Sequence, residues 1–329
     1  MNDPEVTVLM TVYNAGRFFE PSIRSILNQT FRNFEFLIVD DGSTDGSANL
    51  AELWAGRDSR IRFIRHSENK GQTIRLNEGL GMAKARWIAR QDADDFSHSA
   101  RLALQYQFLG DHSDVVLLGA NGRIIDGNDR LTGLLDAPLS QHGITWTAPF
   151  LNPFMHTAVI FRADVIRDEF GGYDEEYRIA QDYELWTRVI GKYPSANLPD
   201  RLVCYRHLAT SMSKAGRERA FTEASRVSKR EAERIFGRSL SRREADLIAA
   251  FREGLDPTRR RAFWRLYNGL FKGRDAQQDL WRTAATHHLK AAGALSSSSL
   301  PMALVEICLA LDADFSTTLR WLATRYLNA

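Results

Sequence analysis

Short, almost uninterrupted apolar runs alternate with helix-spaced segments along the first 130 residues. Val6–Val12 (VTVLMTV) and Phe34–Val39 (FEFLIV) are too continuously apolar for strands with one wet face, so both faces must be covered. Between and after them, Ser22–Gln29, Ser47–Trp54 and Ile74–Ala83 carry apolar residues at helical spacing. Ile61–Arg65 and Trp87–Arg90 add two further strands, and Asp114–Gly119 and Ala158–Arg162 read as later ones. Tyr183–Gly191 reads as a helix. Strand, helix, strand in this rhythm predicts βαβ units: an α/β, Rossmann-like, mostly parallel sheet with helices on its faces.

The character changes near residue 213. From Lys214 to Asp275 there are 17 Lys and Arg against 9 Asp and Glu, a local excess of +8 in a chain whose formal net charge is only +2. No strand-like run occurs there, while Phe251, Leu255, Phe263, Trp264, Leu266, Leu270 and Phe271 recur at roughly helical spacing. The expected organisation is therefore a mixed α/β domain over 1–213 and a basic, mainly α-helical region over 214–329. Gly293–Ser299 (GALSSSS) reads as a linker before a last amphipathic helix. Near-balanced charge excludes nucleic-acid binding by the chain as a whole. Cys204 and Cys308 are the only cysteines, which excludes a zinc framework or a disulfide scaffold and suits a reducing compartment. The opening MNDPEVTVLMTVYNAG lacks the basic and long apolar regions of a signal peptide, and no run is long enough to span a bilayer. The expected place is the cytoplasm, or the inner face of the cell membrane as a peripheral protein.

In an open parallel sheet, ligands bind beyond the carboxyl ends of the strands, at the point where strand order reverses. Three strands here end in polar groups suited to a nucleotide. The first runs through Thr11 into Tyr13 and Asn14, the second ends in Asp40-Asp41, and the fourth in Asp92-Ala93-Asp94. Asp41 could accept from a pyrimidine N–H or a ribose hydroxyl. Asp92 and Asp94, two residues apart on an extended end, can point the same way and share Mg²⁺ or Mn²⁺ with a diphosphate. Each cluster alone is equally well read as turn and cap chemistry. Three in the right order favour a ligand site. No GxxxxGK[ST] and no GxGxxG follows the first strand, which excludes a P-loop NTPase and a dinucleotide dehydrogenase.

These residues carry a resemblance. VTVLMTVYNAGRFFEPSIRSILNQTFRNFEFLIVDDGSTDGS is similar to the opening of the family 2 glycosyltransferases, and NKGQTIRLNEGLGMAKARWIARQDADD continues the likeness. NPFMHTAVIFR, GGYDEEYRIAQDYELWTRV and CYRHLATSMS then follow in the family's order, over roughly residues 5–213. The resemblance implies a GT-A fold and an inverting transferase that uses a nucleotide-sugar donor (UDP-, GDP- or dTDP-linked), a divalent metal (Mn²⁺ or Mg²⁺) and a glycan or lipid-linked acceptor. It implies donor-base and ribose contacts at Thr11, Tyr13, Asn14 and Asp41, and a second nucleotide-side block at Asn69, Gly71, Arg75 and Asn77. It also implies metal and diphosphate ligands at Asp92 and Asp94, with His207 as a further metal or phosphate ligand, and a catalytic base at Asp182. Two positions depart from the pattern. Gln181 stands where many members have a carboxylate, and His207 follows Tyr205 by two residues where related sequences often have three.

Inverting transfer needs one carboxylate opposite the leaving diphosphate to take the acceptor's proton. Asp182 opens a helical segment, where free N–H groups should keep it ionised; its bland alternative is a helix cap. His156 is a candidate sugar contact, although an isolated histidine beside a strand often serves only the fold. Arg90 is either a phosphate contact or the counter-charge of Asp92. The +8 segment over 214–275, with Trp264, Tyr267 and Phe271, suits either a contact with anionic lipid or a solvated lid. The expected role is therefore transfer of a sugar during surface polysaccharide or glycan synthesis. The rival functions are a nucleotidyltransferase of sugar phosphates, which would want a Gly- and Lys/Arg-rich loop where TVYNAGRFF stands, and an inactive transferase-like binding module.

Overall fold

The computed structural model describes residues 3–208 and 216–251. The expected GALSSSS linker, the last amphipathic helix and the aromatic part of the basic segment lie outside the described residues. Of those described, 3–144, 152–208 and 216–227 form one compact unit, and 145–151 with 228–251 belong to a second.

The first unit is built on a mixed sheet. Strands β1 (Val6–Val12), β2 (Phe34–Asp40), β3 (Ile61–Arg65) and β4 (Trp87–Asp92) lie in the order β3-β2-β1-β4 and pair in parallel throughout. Helices α1 (Phe19–Leu27), α2 (Ser47–Ala55) and α3 (Gln72–Met82) connect them. Every residue of β1 and β2 is buried, as uninterrupted apolar runs require. The polar exceptions are paired: Thr7 donates to Glu35 at 2.6 Å, and Glu35 accepts from the Lys84 amide at 2.7 Å. Beyond β4 come β5 (Phe96–Ser97), α4 (Arg101–Asp111), β6 (Leu117–Ile125), β7 (Leu131–Leu135), α5 (Gln141–Thr147), β8 (Ile160–Arg162), α6 (Gln181–Ile190) and β9 (Ser195–Arg206). The sheet continues β4-β8-β6-β9-β5, with β8 antiparallel to both its neighbours and β7 paired to β6.

The short β5, β7 and α5 escaped the periodicity reading, and so did two longer elements, for physical reasons. In β9, Pro199 and Asp200 interrupt the apolar pattern. The pairing with β6 skips them, stepping from Ala120↔Leu198 to Asn121↔Arg201, and Asn121 Nδ2 donates to the Pro199 carbonyl at 3.1 Å. In α4, Arg101 and Gln105 are buried on the inward face, so the expected apolar stripe is partly polar. Arg101 spends its donors on Gln91, Ser97, Gln105 and the carbonyls of Arg90 and Val159.

Helix α7 (Arg217–Phe236) follows, then α8 (Arg242–Phe251). Within the second unit, Ser241 and Glu244 form a reciprocal capping box at the start of α8, with Ser241 N donating to Glu244 at 2.8 Å and Glu244 N to Ser241 Oγ at 3.3 Å. Much of the basic charge of these helices is met locally: Arg219 pairs with Glu223, Arg226 with Glu176, Arg234 with Glu231 and Arg238 with Glu244. Among the described residues no helix is long and apolar enough to cross a membrane.

Candidate active site

Strand order reverses at β1, which has β2 on one side and β4 on the other. The register there pairs Thr11 with both Val39 and Asp92, and Val12 with Asp40, so the three polar strand ends reach the same edge at the same level. The loops beyond them are laced together. Asn14, at φ 51°, donates its amide to Ser43 Oγ at 3.0 Å and accepts from the Thr44 amide at 2.8 Å. The Gly16 amide donates to Asp45 at 2.8 Å. Thr11 is buried, while Tyr13 is 52% exposed and presents its ring at the rim.

Asp41 is the centre of the nucleotide-side block. Its Oδ1 accepts from Lys70 N (2.8 Å) and Arg75 Nε (2.7 Å), and its Oδ2 from Gly71 N (2.8 Å). Arg75, itself buried, also donates to the Glu68 carbonyl at 2.8 Å. Gly42 makes this close approach possible: at φ +77° a Cβ would sit 2.8 Å from the Glu68 carbonyl carbon. Gly71, at φ +98°, turns the chain into α3. Asp41, Gly71 and Arg75 are thus joined directly, and Asn69 lies exposed on the same turn. Asn77 faces elsewhere. Its side chain exchanges hydrogen bonds with the backbone of Tyr173, at 2.9 and 2.8 Å, and pins the 171–175 segment to α3.

The acidic turn after β4 is crowded. Arg90 is fully buried and donates to Asp92, to the Leu9 carbonyl and to His156 Nε2, which makes it the counter-charge of Asp92 and no surface phosphate contact. Burial and then the charge of Asp92 push the Asp94 carboxyl up to about 6. Asp95 is driven well above the ordinary range by burial, then by Asp94 and Asp92. Its Oδ1 accepts from the Arg206 amide at 2.7 Å, and its Oδ2 is buried without a hydrogen-bond partner. Arg206 itself is packed between Phe18 and Phe96, at 4.2 and 4.9 Å from their ring centres, and one of its terminal nitrogens is likewise unpartnered. An acidic turn with an orphaned carboxylate oxygen and mutual repulsion is a fit environment for a divalent cation. No three His, Cys, Asp or Glu side chains among the described residues converge as a ready ligand set, so substrate oxygens and water must complete the shell. His207 is exposed at the end of β9, with its amide on the Ile125 carbonyl at 2.8 Å.

Asp182 lies in the first turn of α6. Asn152 Nδ2 donates to its Oδ2 at 2.8 Å. The helix start does not hold this carboxyl low, as the sequence suggested. Burial dominates and, with the charge of Asp92 and against the Tyr183 amide and Asn152, lifts it to about 6. A short amide relay ties it to the acidic turn: Gln181 donates to Gln72 Oε1 at 3.0 Å, and Gln72 donates to Asp92 at 3.4 Å. His156 stands behind. Its Nε2 accepts from Arg90 Nε and from the Tyr173 hydroxyl, both at 3.2 Å, so its one proton belongs on Nδ1. Burial and then Arg90 depress its pKa well below the usual histidine value, and it is neutral at pH 7.

Sequence reasoning missed Gln72, Asn152, Tyr173, Asp95 and Arg206. Gln72 and Asn152 sit inside quoted motif blocks and were legible as polar neighbours. Asp95, Tyr173 and Arg206 also sit inside quoted blocks, but what distinguishes them, burial and their partners, is set by the fold.

Similarity to known proteins places the family and the fold. The model of "Glycosyl transferase family 2" matches residues 7–170. An O-antigen biosynthesis glycosyltransferase, WbnJ of Escherichia coli, is 32% identical over 209 residues, 61% of this chain and 79% of that protein. An uncharacterized glycosyltransferase of Haemophilus influenzae is 33% identical over 213 residues, 62% of this chain and 66%, just under two thirds, of that protein. The chain belongs to glycosyl transferase family 2. Among solved structures, residues 1–349 of S. aureus TarS in complex with UDP-GlcNAc superpose with a TM-score of 0.59 at 18% identity, covering 98% of this chain and 91% of that one. The mannosyltransferase PcManGT from Pyrobaculum calidifontis, in complex with GDP-Man and Mn²⁺, gives 0.54 at 20% identity, covering 99% and 88%. These likenesses establish the GT-A-type fold.

Proposed function

We propose that the chain is an inverting, metal-dependent glycosyltransferase that moves a sugar from a nucleotide-sugar donor to a hydroxyl of a glycan or lipid-linked acceptor during surface polysaccharide synthesis. The observation that carries this reading is the Gln181–Gln72–Asp92 relay, which ties the helix start bearing Asp182 to the acidic turn. A base and a diphosphate-binding acid motif held at a fixed offset is what single displacement at an anomeric carbon requires. The UDP-GlcNAc and GDP-Man in the two solved neighbours support a nucleotide-sugar donor, and the Mn²⁺ in one of them supports a divalent cation. The O-antigen biosynthesis role in the name of the Escherichia coli relative supports the polysaccharide setting.

Asp182 takes the proton of the acceptor hydroxyl as it attacks. A carboxyl near 6 is ionised at pH 7 yet more basic than an ordinary aspartate, which suits a general base. Asp41 keeps one lone pair on Oδ2, beyond its Gly71 partner, for a base N–H or ribose hydroxyl. Asn14, Thr11, Tyr13 and Asn69 line the same edge. Neutral His156 offers its Nδ1–H to a sugar oxygen. Asp92 and Asp94 would hold Mn²⁺ or Mg²⁺, which supplies positive charge to the departing diphosphate.

The test is a thermal-shift screen of UDP-, GDP- and dTDP-sugars with Mn²⁺, followed by calorimetry on the donor that stabilises the chain. Asp94→Ala should lose the Mn²⁺-dependent part of nucleoside diphosphate affinity and keep its fold. Equal affinity of the parent chain in EDTA and in Mn²⁺ would sink the metal-dependent reading, and no shift with any donor would favour the binding-module alternative.

A further inference from the structure

Glu223 lies in α7, more than forty residues beyond Asp182 and within the basic stretch, yet it is buried to 4% exposure against the turn that leads into α6. Its Oε2 accepts three successive amides, those of Arg178 (3.1 Å), Ile179 (2.9 Å) and Ala180 (3.0 Å). Its Oε1 accepts the Arg178 amide at 3.2 Å and Arg219 Nε at 2.6 Å. Three consecutive N–H groups aimed at one anion form a concave nest. Here the anion comes from a distant helix. Burial alone would raise the pKa of Glu223, but the three amides and Arg219 more than offset it and hold the carboxyl below its ordinary range.

The same turn is also held by α3 and by the apolar face of α7. Thr73, in the first turn of α3, donates to the Tyr177 carbonyl at 2.8 Å, and Tyr177, Ala180 and Tyr183 pack with Ala224 and Val227 of α7. The backbone at 177–180 therefore has little freedom, and Asp182 begins two residues later. We propose that Glu223 is a positioning residue for the catalytic base: its carboxylate fixes the 178–180 turn and so sets where the Asp182 carboxylate meets the acceptor hydroxyl. This rests on the reading of Asp182 as the base. Displacement of a catalytic group by about 1 Å costs up to ~10²-fold in rate, and Glu223 itself bonds to the 178–180 amides and Arg219 and to no residue of the Asp41 or Asp92 blocks.

The experiment compares the parent chain with Glu223→Gln, Glu223→Asp, Arg219→Gln and Asp182→Asn. Turnover is followed as nucleoside diphosphate released from UDP-GlcNAc, GDP-mannose or a dTDP-sugar, whichever the parent uses. Glu223→Gln sets an NH₂ group against the three amides and should lower kcat by ~10–100-fold. Donor KM should stay within about twofold, since uniform binding is untouched. The acid limb of the kcat–pH profile should move, which a loss of stability alone would not cause. Glu223→Asp should recover part of kcat, and Arg219→Gln, at a half-exposed residue, should fold and lower kcat by less. Melting curves confirm that each variant is folded at the assay temperature, and Arg219→Gln carries the test if the buried variants are not. Parent-like kcat in folded Glu223→Gln or, failing that, in Arg219→Gln, with Asp182→Asn inactive, overturns the positioning role alone. Parent-like kcat in Asp182→Asn overturns the base assignment and this proposal with it.

Discussion

Replacing Asp182 by Asn should make the protein more stable while disabling it. Burial lifts this carboxyl from 3.8 to about 6. The folded state therefore prefers the protonated form, and each pH unit of that preference is worth about 1.4 kcal/mol. Above the folded value the carboxylate is ionised in both states, so at pH 7 its ionisation costs the fold about 3 kcal/mol. Part of the side chain remains open to solvent, which makes that figure a ceiling. Asn resembles the protonated acid in shape and keeps an acceptor for the Asn152 amide, so it escapes the cost. The sign follows from the raised value: parental stability falls as pH rises from about 4 through 6. Hence parent and Asp182→Asn should match near pH 4, diverge through pH 6, and differ by up to about 3 kcal/mol at pH 7 in favour of the variant. Urea unfolding of the metal-free proteins at pH 4, 5.5 and 7 measures this, and turnover at pH 7 should fall ~10²–10⁴-fold. A variant that is less stable than the parent at pH 7, or equally stable at every pH, would refute the buried-base account. If turnover also remained near normal, Asp182 would serve only the first turn of α6, a role that Asn fills about as well, and the base would lie elsewhere.

Two other outcomes can be checked more quickly. Arg75→Met leaves Asp41 buried beside two amides but without its cation, and should cost about 3–5 kcal/mol in urea unfolding, because a stranded buried charge is expensive; a loss below about 1 kcal/mol would show the pair to be dispensable. If residues 214–275 contact anionic lipid, the first of the two readings of this basic segment, vesicle co-sedimentation should require acidic lipid and weaken as salt rises. Equal binding to neutral and acidic vesicles would return the segment to a solvated lid.

The alternation of buried strands and helices was open to reading because burial on both faces demands continuous apolar runs, and β1 and β2 fall where those runs lie, with β3 at its β-branched run beside them. The acidic ends of β2 and β4 were legible for a similar reason. Carboxylates placed after an apolar strand in a parallel sheet emerge at one edge, whatever else the chain does. Family motifs added names for those positions. Periodicity was silent wherever a polar residue was buried or a strand was bulged, and so β9, with Pro199, and α4, with Arg101, were passed over.

The chain's residues by themselves determined the sheet, its ligand-binding edge and the acids that stand there, since these depend on local pattern and on strand ends. Which partners those acids meet was decided only by tertiary structure. Asp41 is joined to Arg75 by a loop crossing at Gly42, and Asp92 to Gln181 through Gln72. Asp182 looked like a carboxylate kept ionised by a helix start, but burial beside Asp92 reverses the direction of its pKa. Glu223 stands in a basic helical stretch that singles out no acid, but packing buries it against three amides. Desolvation and long-range pairing depend on what the fold packs around a residue, and neither is written in the residue's own neighbourhood along the chain.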